Sequence, residues 1–247
     1  MTGQSVLPQY QLDKAKRIVS LDCDFLGGEE DSYRLIRGYS KTRRLSDAKE
    51  ADAMGRLYAV EALMTITGAN ADHRLRIAPS QIPALTARLA VEVVKNVPSE
   101  VAELARSFKG DEKWVVECAK DLLAAGAAGV VLPGHRQPLA VHALSHLINK
   151  TLGSIGPVVT FLPAPAALGG TLADLVSALK GGTVDTLLIL GGNPVYTAPA
   201  ALDSKAALGA KTTVVRLAVA EAPPFPARTG PFAGGQLPDS RAVARAG

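Results

Sequence analysis

The sequence is poor in aromatic residues and contains no long apolar run. Aromatic side chains make up 4% of its 247 residues, which argues against the stacking surfaces that bind single-stranded nucleic acid. No apolar run reaches the roughly 18 residues of a membrane-spanning helix. The first residues also lack the basic and apolar regions of a signal peptide. We therefore expect no nucleic-acid partner, no direct membrane span and no targeting signal in this chain.

Cysteine is equally scarce, since Cys23 and Cys118 are the only two. An iron–sulfur cluster normally takes four thiolates, so this chain alone cannot hold one. The four histidines have no zinc-ligand spacing with either cysteine. His142 and His146 lie four residues apart on one helix face, but no HExxH glutamate accompanies them. We expect no metal site.

The common catalytic motifs are missing as well. The sequence has no GxGxxG, no P-loop, no nucleophile elbow and no Ser/His/Asp arrangement. Its net charge of +4 is spread along the chain, which is more typical of an ordinary solvated surface than of an anion-binding tract. We expect no catalytic residue, and the chain is poorly equipped to act as an enzyme by itself.

What the sequence does have is an alternation of short apolar strands with longer amphipathic helices. Strands are predicted at residues 17–22, 56–62, 129–132, 158–162, 186–190 and 213–217. Helices are predicted at residues 81–96, with Ser80 as the N-cap, and at 98–107, 112–125, 139–152 and 171–179. Strands that are apolar on both faces and alternate with helices are typical of a mostly parallel sheet. The pattern predicts a Rossmann-like α/β fold with helices on both faces, in one lobe or in two joined through the helical region 80–125.

The last residues break this pattern. Residues 222–247 are mostly Ala, Pro, Gly and Arg, with neither a strand nor a helix period. Too few large apolar groups are present to offset the entropy of ordering, so we expect a disordered or out-of-frame tail. The α/β domain is expected to cover residues 1–221.

Ligands of parallel sheets gather beyond the carboxyl ends of the strands, so the loops at those ends are the candidate sites. The most informative loop holds Gly191, Gly192, Asn193 and Pro194. Its two glycines allow a ligand to approach the backbone closely. This loop is either a nucleotide contact or a tight strand-exit turn, and the residues alone favour neither.

An acidic pair, Asp22 and Asp24, lies at the end of the first predicted strand. Paired carboxylates can bind magnesium or hold a ribose, yet acidic strand-exit loops are common, and we favour the plain structural interpretation. The loop at 134–137 opens a helix and carries Arg136, so it could receive an anion. Residues 67–74 form a fourth polar loop.

Four segments of the chain together resemble the molybdopterin oxidoreductase family: IVSLDCDFLGG, LYAVEALMTITGANADHRLRIAPSQI, LPGHRQPLAVHALSHLINKTLGSIG and VDTLLILGGNPVYTAPA. They are most similar to the molybdopterin-like domain in the large iron–sulfur subunit of bacterial alternative complex III. The ordered resemblance covers about residues 10–217. TGANADHRL and the pairing of GHRQP–VHAL with LGGNPVY are its specific parts.

This resemblance implies roles for the candidate residues. In cofactor-bearing relatives the segment like residues 191–194 contacts the guanosine of a molybdopterin guanine dinucleotide, and an acid like Asp22 or Asp24 lies near a nucleotide. The alternative complex III domain resembles a retained fold without that cofactor. Electron transfer there belongs to clusters on cysteine-rich modules further along the polypeptide.

The resemblance also implies a place in a larger assembly. The chain begins inside the family's domain and lacks every cluster-binding cysteine, so we expect a fragment without a cofactor of its own. Its expected role is that of a non-catalytic scaffold in the iron–sulfur subunit of a respiratory quinol-oxidising complex. Its partners would be the other subunits, on the periplasmic side of the bacterial inner membrane; outside such a subunit we expect it in the cytoplasm. The alternatives are a fragment of a molybdopterin guanine dinucleotide-binding oxidoreductase and a separate nucleotide-binding Rossmann-like module.

Overall fold

The computed structural model describes residues 5–164, 169–208, 212–218 and 242–246. The chain divides into two compact units, residues 1–164 and 165–247. The helical region 80–125 therefore belongs wholly to the first unit and does not join the two. None of the helices in the described ranges is long and apolar enough to cross a bilayer.

The first unit is built on a four-stranded, fully parallel sheet. Its strands run in the order β4-β3-β2-β5, and a separate antiparallel ribbon pairs β1 with β6. The strands are β1 Val6–Tyr10, β2 Arg17–Leu21, β3 Arg56–Glu61, β4 His73–Arg76, β5 Gly129–Pro133 and β6 Val159–Pro163. The predicted mostly parallel sheet is confirmed.

Helices cover both faces of this sheet, as the sequence predicts. Alternate residues of β2 point to opposite faces, so Val19 packs in one core with α3, α5 and α6, whereas Ile18 packs in the other with α1. The helices of this unit are α1 Ser32–Arg43, α2 Ile66–Ala69, α3 Ile82–Val93, α4 Ser99–Arg106, α5 Glu112–Ala125 and α6 Leu139–Leu152. Two buried layers result, one on each face.

Local signals in the sequence explain some of the helix ends. The Asp111 carboxylate caps α5 by accepting a hydrogen bond from the Trp114 amide at 3.0 Å. Gly153, with φ of 77°, ends α6 as predicted. The prediction of Ser80 as the cap of α3 is wrong, because Ser80 lies within a short 3₁₀ turn and α3 begins two residues later.

The outer edge of β5 is closed by a side chain. The Asn149 amide donates to the Val131 carbonyl at 2.9 Å and accepts from the Val131 amide at 2.8 Å. These two hydrogen bonds satisfy backbone groups that would otherwise be orphaned in the core. They also fix α6 against the sheet, and so fix the position of the loop between β5 and α6.

The second unit contains a smaller sheet of three strands in the order β7-β8-β9. In it β7 and β8 are parallel, and β9 is antiparallel to β8. Its elements are α7 Leu172–Lys180, β7 Thr186–Leu190, α8 Pro194–Thr197, α9 Ser204–Ala207, β8 Thr213–Ala218 and β9 Ala242–Ala246. Of the predicted tail at 222–247, residues 222–241 and 247 lie outside the described residues, and the strand β9 was not expected.

One face of β7 is not covered by the described residues. Leu188 and Leu190 are 58% and 72% exposed, whereas Ile189 between them is buried. The expectation that every strand is covered on both sides therefore fails for β7. Its buried face packs with α7, on which the Thr171 and Asp174 side chains form a reciprocal capping box.

Candidate functional site

The strand order of the first unit reverses between β2 and β5. From β2 the chain adds β3 and then β4 on one side, and only afterwards returns to add β5 on the other. In open parallel sheets the crevice at such a reversal, beyond the carboxyl ends of the strands, is where ligands bind. We call this place the switch-point crevice. The loop that starts at Asp22 and the loop at 134–137 meet there, as the sequence predicts.

The switch-point crevice is closed by contacts between these two loops. The Gln137 side-chain amide donates to Oδ2 of Asp22 at 2.9 Å, and the Gly134 amide donates to the Leu21 carbonyl at 3.0 Å. A Cβ atom at Gly134 would lie 2.0 Å from the Asp22 carbonyl oxygen. Only glycine fits at this position, because the two loops lie against each other there.

A second contact reinforces the closure. The Glu29 carboxylate lies 2.7 Å from Nδ1 of His135, and the His135 backbone amide faces the same carboxylate at 3.4 Å. Glu29 is 14% exposed in its side chain, whereas His135 is 55% exposed. Side-chain contacts therefore join the two loops at two points, Gln137 with Asp22 and His135 with Glu29.

These contacts explain the electrostatics of Asp22. Its pKa is raised, first by partial burial and then by the negative charges of Glu61 and Glu29. Arg136 and the hydrogen bond from Gln137 act in the opposite direction. Asp22 also has a φ of 50°, in the left-handed region that Asp and Asn tolerate better than most residues. Its conformation and partners suit a loop-closing role.

Asp24 lies in the same loop, and its carboxylate is used within the chain. Its Oδ1 accepts hydrogen bonds from the Thr67 amide at 3.0 Å and the Thr67 hydroxyl at 2.8 Å. The Thr67 hydroxyl in turn accepts a 3.0 Å bond from the Leu26 amide. Asp24 thus fastens the loop after β2 to α2.

Glu61, the last residue of β3, also lies at the carboxyl edge of the sheet, and the sequence analysis missed it. It is 3% exposed, and it accepts hydrogen bonds from the Thr65 hydroxyl and from Nε of Arg74, both at 2.6 Å. Nη2 of Arg74 is buried without a partner among the described residues. A Glu at the end of an otherwise apolar strand, followed by an Arg in the next strand, is the signal that could have found this pair.

The loop at residues 191–194 belongs to the second unit. Gly191 and Gly192 have φ of 80° and 73°, which accounts for both glycines, and no atom lies within 4 Å of a Cβ built on either. Oδ1 of Asn193 is buried and has no hydrogen-bond partner among the described residues. Pro194 begins α8. A strand-exit turn explains the glycines and the proline but not the orphaned amide oxygen.

At the switch-point crevice, the carboxylates that a nucleotide-type cofactor would contact accept hydrogen bonds from within the chain. Asp22 and Asp24, the carboxylates that such a group would contact, are already bonded within the chain, and Gly134 occupies the space between the loops. The open turn at Gly191 and Gly192 combines an accessible backbone with a buried polar atom, Oδ1 of Asn193, that has no hydrogen-bond partner among the described residues. Of the contacts expected for a molybdopterin guanine dinucleotide, those at this turn remain accessible.

The thiols and the metal-ligating side chains offer no redox site in the described part of the chain. Cys23 and Cys118 are free, buried and on opposite faces of the sheet, and burial raises the pKa of both thiols. Neither is therefore poised to form a thiolate. The described residues contain no group of three or more His, Cys, Asp or Glu side chains that could hold a metal ion.

No family model matches this sequence, and no curated protein matches it significantly.

Proposed function

We propose that this chain is a non-catalytic scaffold domain of the molybdopterin oxidoreductase type, within the iron–sulfur subunit of a respiratory quinol-oxidising complex. The four ordered segments that resemble that family support the assignment. In this proposal the chain lies on the periplasmic side of the bacterial inner membrane, and regions outside this sequence carry the electrons. Its work is to present surfaces to neighbouring parts of the complex.

The closed switch-point crevice is the observation that carries the non-catalytic part of the proposal. A parallel sheet with this strand order normally leaves a ligand crevice there. In this chain the Gln137–Asp22 hydrogen bond, the Glu29–His135 contact and the fit of Gly134 fill it. These contacts favour a structural role for this domain over the binding of a cofactor at this edge of the sheet.

Exposed apolar side chains around the same edge support an interaction role. Leu63, Met64 and Ile66 follow β3 and are 79%, 68% and 57% exposed, and Leu139 follows β5 and is 78% exposed. Clusters of exposed apolar residues mark interaction surfaces more often than single ones do. We call these four residues the apolar rim. In the proposed assembly they are covered by neighbouring polypeptide.

Purification of the complex tests this proposal. The chain would be tagged in its native cells, the membranes solubilised in detergent, and the recovered material assayed for quinol oxidation, iron and pterin. We expect the chain to be recovered within a quinol-oxidising complex that contains iron but no pterin. Recovery of the chain alone, or without quinol oxidation, would contradict the proposal.

A pair of variants makes this experiment specific to the apolar rim. We expect L63S combined with M64S to release the chain from the complex while its unfolding temperature stays close to that of the wild type, because both side chains are exposed. L123S is the matched control, since Leu123 is a 49% exposed leucine on α5, outside the apolar rim. Equal recovery of both variants would leave the apolar rim without a role.

The second candidate is a cofactor or nucleotide contact at the turn of residues 191–194. The orphaned Oδ1 of Asn193 beside the open backbone of Gly191 and Gly192 is the observation that favours it. Titration with GMP and GDP tests it, with Asn193→Ala as the disrupting variant and Asn70→Ala as the control. Binding that Asn193→Ala abolishes would favour this candidate. Pterin in the purified chain would then indicate the dinucleotide cofactor, and its absence a plain nucleotide module.

A further inference from the structure

A cleft of about 460 Å³ lies in the first unit, between α6 and the ribbon of β1 and β6. Its walls are mostly apolar and include Val6, Leu139, Ile155 and Phe161. Sites for small molecules have volumes of about 300–1,000 Å³ and mostly apolar walls with a few polar groups. The cleft has these dimensions and this lining, and none of Asp22, Glu29, Gly134, His135 or Gln137, whose contacts join the two loops at the switch-point crevice, lines it.

One face of α6 supplies the polar groups of the cleft. His142, Ser145 and His146 are spaced three and four residues apart, so they lie on the same side of the helix. Ser145 is 1% exposed, and its Oγ has no hydrogen-bond partner among the described residues. A buried hydroxyl without a partner is rare, because no hydrogen bond offsets the free-energy cost of removing it from water. The cleft therefore contains a donor that a bound ligand would satisfy.

The polarity of the lining indicates what kind of group that ligand carries. None of the described residues that line the cleft has a carboxylate, whereas the lining includes the imidazoles of His142 and His146 and three residues with hydroxyl groups, Ser5, Tyr10 and Ser145. Burial, together with the positive charge of Lys150, lowers the pKa of His146. The neutral ring still offers one N–H donor, and an anion beside it would favour the imidazolium. An acceptor, and above all an anion, suits this lining better than a cation.

We propose that this cleft binds an aliphatic monocarboxylate, with the carboxylate held by the Ser145 hydroxyl and the imidazoles of His142 and His146. The apolar chain of the ligand lies against the walls formed by Val6, Ile155 and Phe161. The proposal does not depend on the scaffold role, because the polar groups that hold the carboxylate, Ser145, His142 and His146, are not part of the apolar rim; Leu139 alone belongs to both.

Calorimetric titration of the full 247-residue chain with sodium octanoate tests the proposal. We expect saturable binding with one site, weakened about tenfold or more by Ser145→Ala, since a hydrogen bond to a charged group is lost. Ser177→Ala on α7 is the matched control, because its hydroxyl bonds to the Ala173 carbonyl outside the cleft. Octanoate binding that Ser145→Ala leaves unchanged would overturn the proposal.

Thermal unfolding of the same variant separates this effect from damage to the fold. Without ligand, we expect Ser145→Ala to unfold at the same temperature as the wild type or higher, because it removes a buried, unpaired hydroxyl. If the variant is stable but binds octanoate more weakly, the loss of affinity comes from the missing hydroxyl in the cleft and not from damage to the fold. Ala143→Phe, which fills the cleft and leaves its polar groups in place, should abolish binding as well.

Two further measurements test the role of the charge. 1-Octanol has the same chain length without a carboxylate, and we expect it to bind more weakly than octanoate. In an NMR titration, octanoate should raise the pKa of His146, whereas octanol should leave it unchanged. Equal affinity for both probes, with no change at His146, would mean that the cleft takes apolar molecules without recognising a carboxylate, and the proposal would be wrong.

Discussion

The side-chain amide of Gln137 donates a 2.9 Å hydrogen bond to Oδ2 of Asp22, across the place where the strand order of the sheet reverses. The two residues are 115 positions apart in the sequence. Each follows a strand, at the edge where open parallel sheets usually bind ligands. In this protein the two loops bind each other instead.

The fit of Gly134 gives the first prediction. Gly134→Ala places a Cβ atom 2.0 Å from the Asp22 carbonyl oxygen, so one of the two loops must move. We expect a loss of about 2–4 kcal/mol in the free energy of unfolding, measured by urea titration. Gly28→Ala is the control, since its Cβ would meet its nearest neighbour at 3.5 Å, an ordinary contact. Similar stabilities for the two variants would mean that the crevice is open enough to admit a ligand.

The pKa of Asp22 gives a prediction about pH. Because this pKa is raised in the folded chain, the folded state holds the proton more tightly than the unfolded state does. Stability is therefore lost as the pH rises from the usual Asp value of 3.8 through the raised folded value, and the penalty is complete above it. Asp22→Asn removes this penalty, keeps an acceptor for Gln137 and tolerates a φ of 50°.

We therefore expect Asp22→Asn to unfold at a slightly higher temperature than the wild type at pH 7, with the difference shrinking towards pH 3.5. Melting curves across this range measure it. Asp52→Asn, at an exposed position, is the control and should show no such trend. A difference that stays constant with pH would contradict the electrostatic explanation.

Glu61 provides a prediction about buried charge. Glu61→Gln leaves Arg74 without its anionic partner in a position where Nη2 of Arg74 is already unsatisfied. Breaking one half of a buried ion pair costs about 3–5 kcal/mol, and the remaining amide recovers part of it. We expect a loss of about 2–4 kcal/mol in chemical unfolding, and almost none for the exposed control Glu103→Gln. A stable Glu61→Gln would show that the pair contributes little.

The opposite end of the sheet carries a second network, centred on Asp121 of α5. Oδ2 of Asp121 accepts hydrogen bonds from Nε of Arg17 at 3.1 Å, from the Tyr58 hydroxyl at 2.7 Å and from Arg56. Burial disfavours the charged carboxylate, but the bonds from Tyr58 and Arg56 and the charges of both arginines outweigh it and lower its pKa. Asp121 thus fastens α5 to β2 and β3.

We expect Asp121→Ala to lower the free energy of unfolding by about 1–3 kcal/mol at pH 7. Since the folded pKa is lowered, this contribution is present above the usual value of 3.8 and disappears as the pH falls through the lower folded value. Urea titrations at pH 7 and in the acid range measure the change. Glu117→Ala, which removes an exposed carboxylate from the same helix, should have a small effect at both.

The parts of the fold that the sequence predicts are those with a strong apolar period. Strands such as β2 and β5, and helices such as α5 and α6, have large buried side chains at regular spacing. The missed helix α1 buries only Leu35 and Tyr39 of its twelve residues, so its period is faint. The missed strand β4 is a polar edge strand, His73–Arg76, and its pairing depends on β3 rather than on its own residues.

The position of the switch-point crevice could be predicted from the sequence, but whether the crevice is open could not. The sequence indicates that Asp22 and the loop at 134–137 share one edge of the sheet, because both follow parallel strands. Whether the edge is open depends on pairs such as Asp24 with Thr67 and Glu29 with His135, which are 43 and 106 positions apart. Pairings of this kind depend on packing, and no local pattern encodes them.

The two cysteines are buried on opposite faces of the sheet, so the labelling of each thiol measures how often the buried layer around it opens. Cys23 belongs to the core beneath α1, and Cys118 to the core beneath α3, α5 and α6. A thiol reagent can reach each one only when its layer opens. Equal labelling rates would mean that the two layers open together, and faster labelling of Cys23 would mean that the α1 side opens first, with no label having to be engineered.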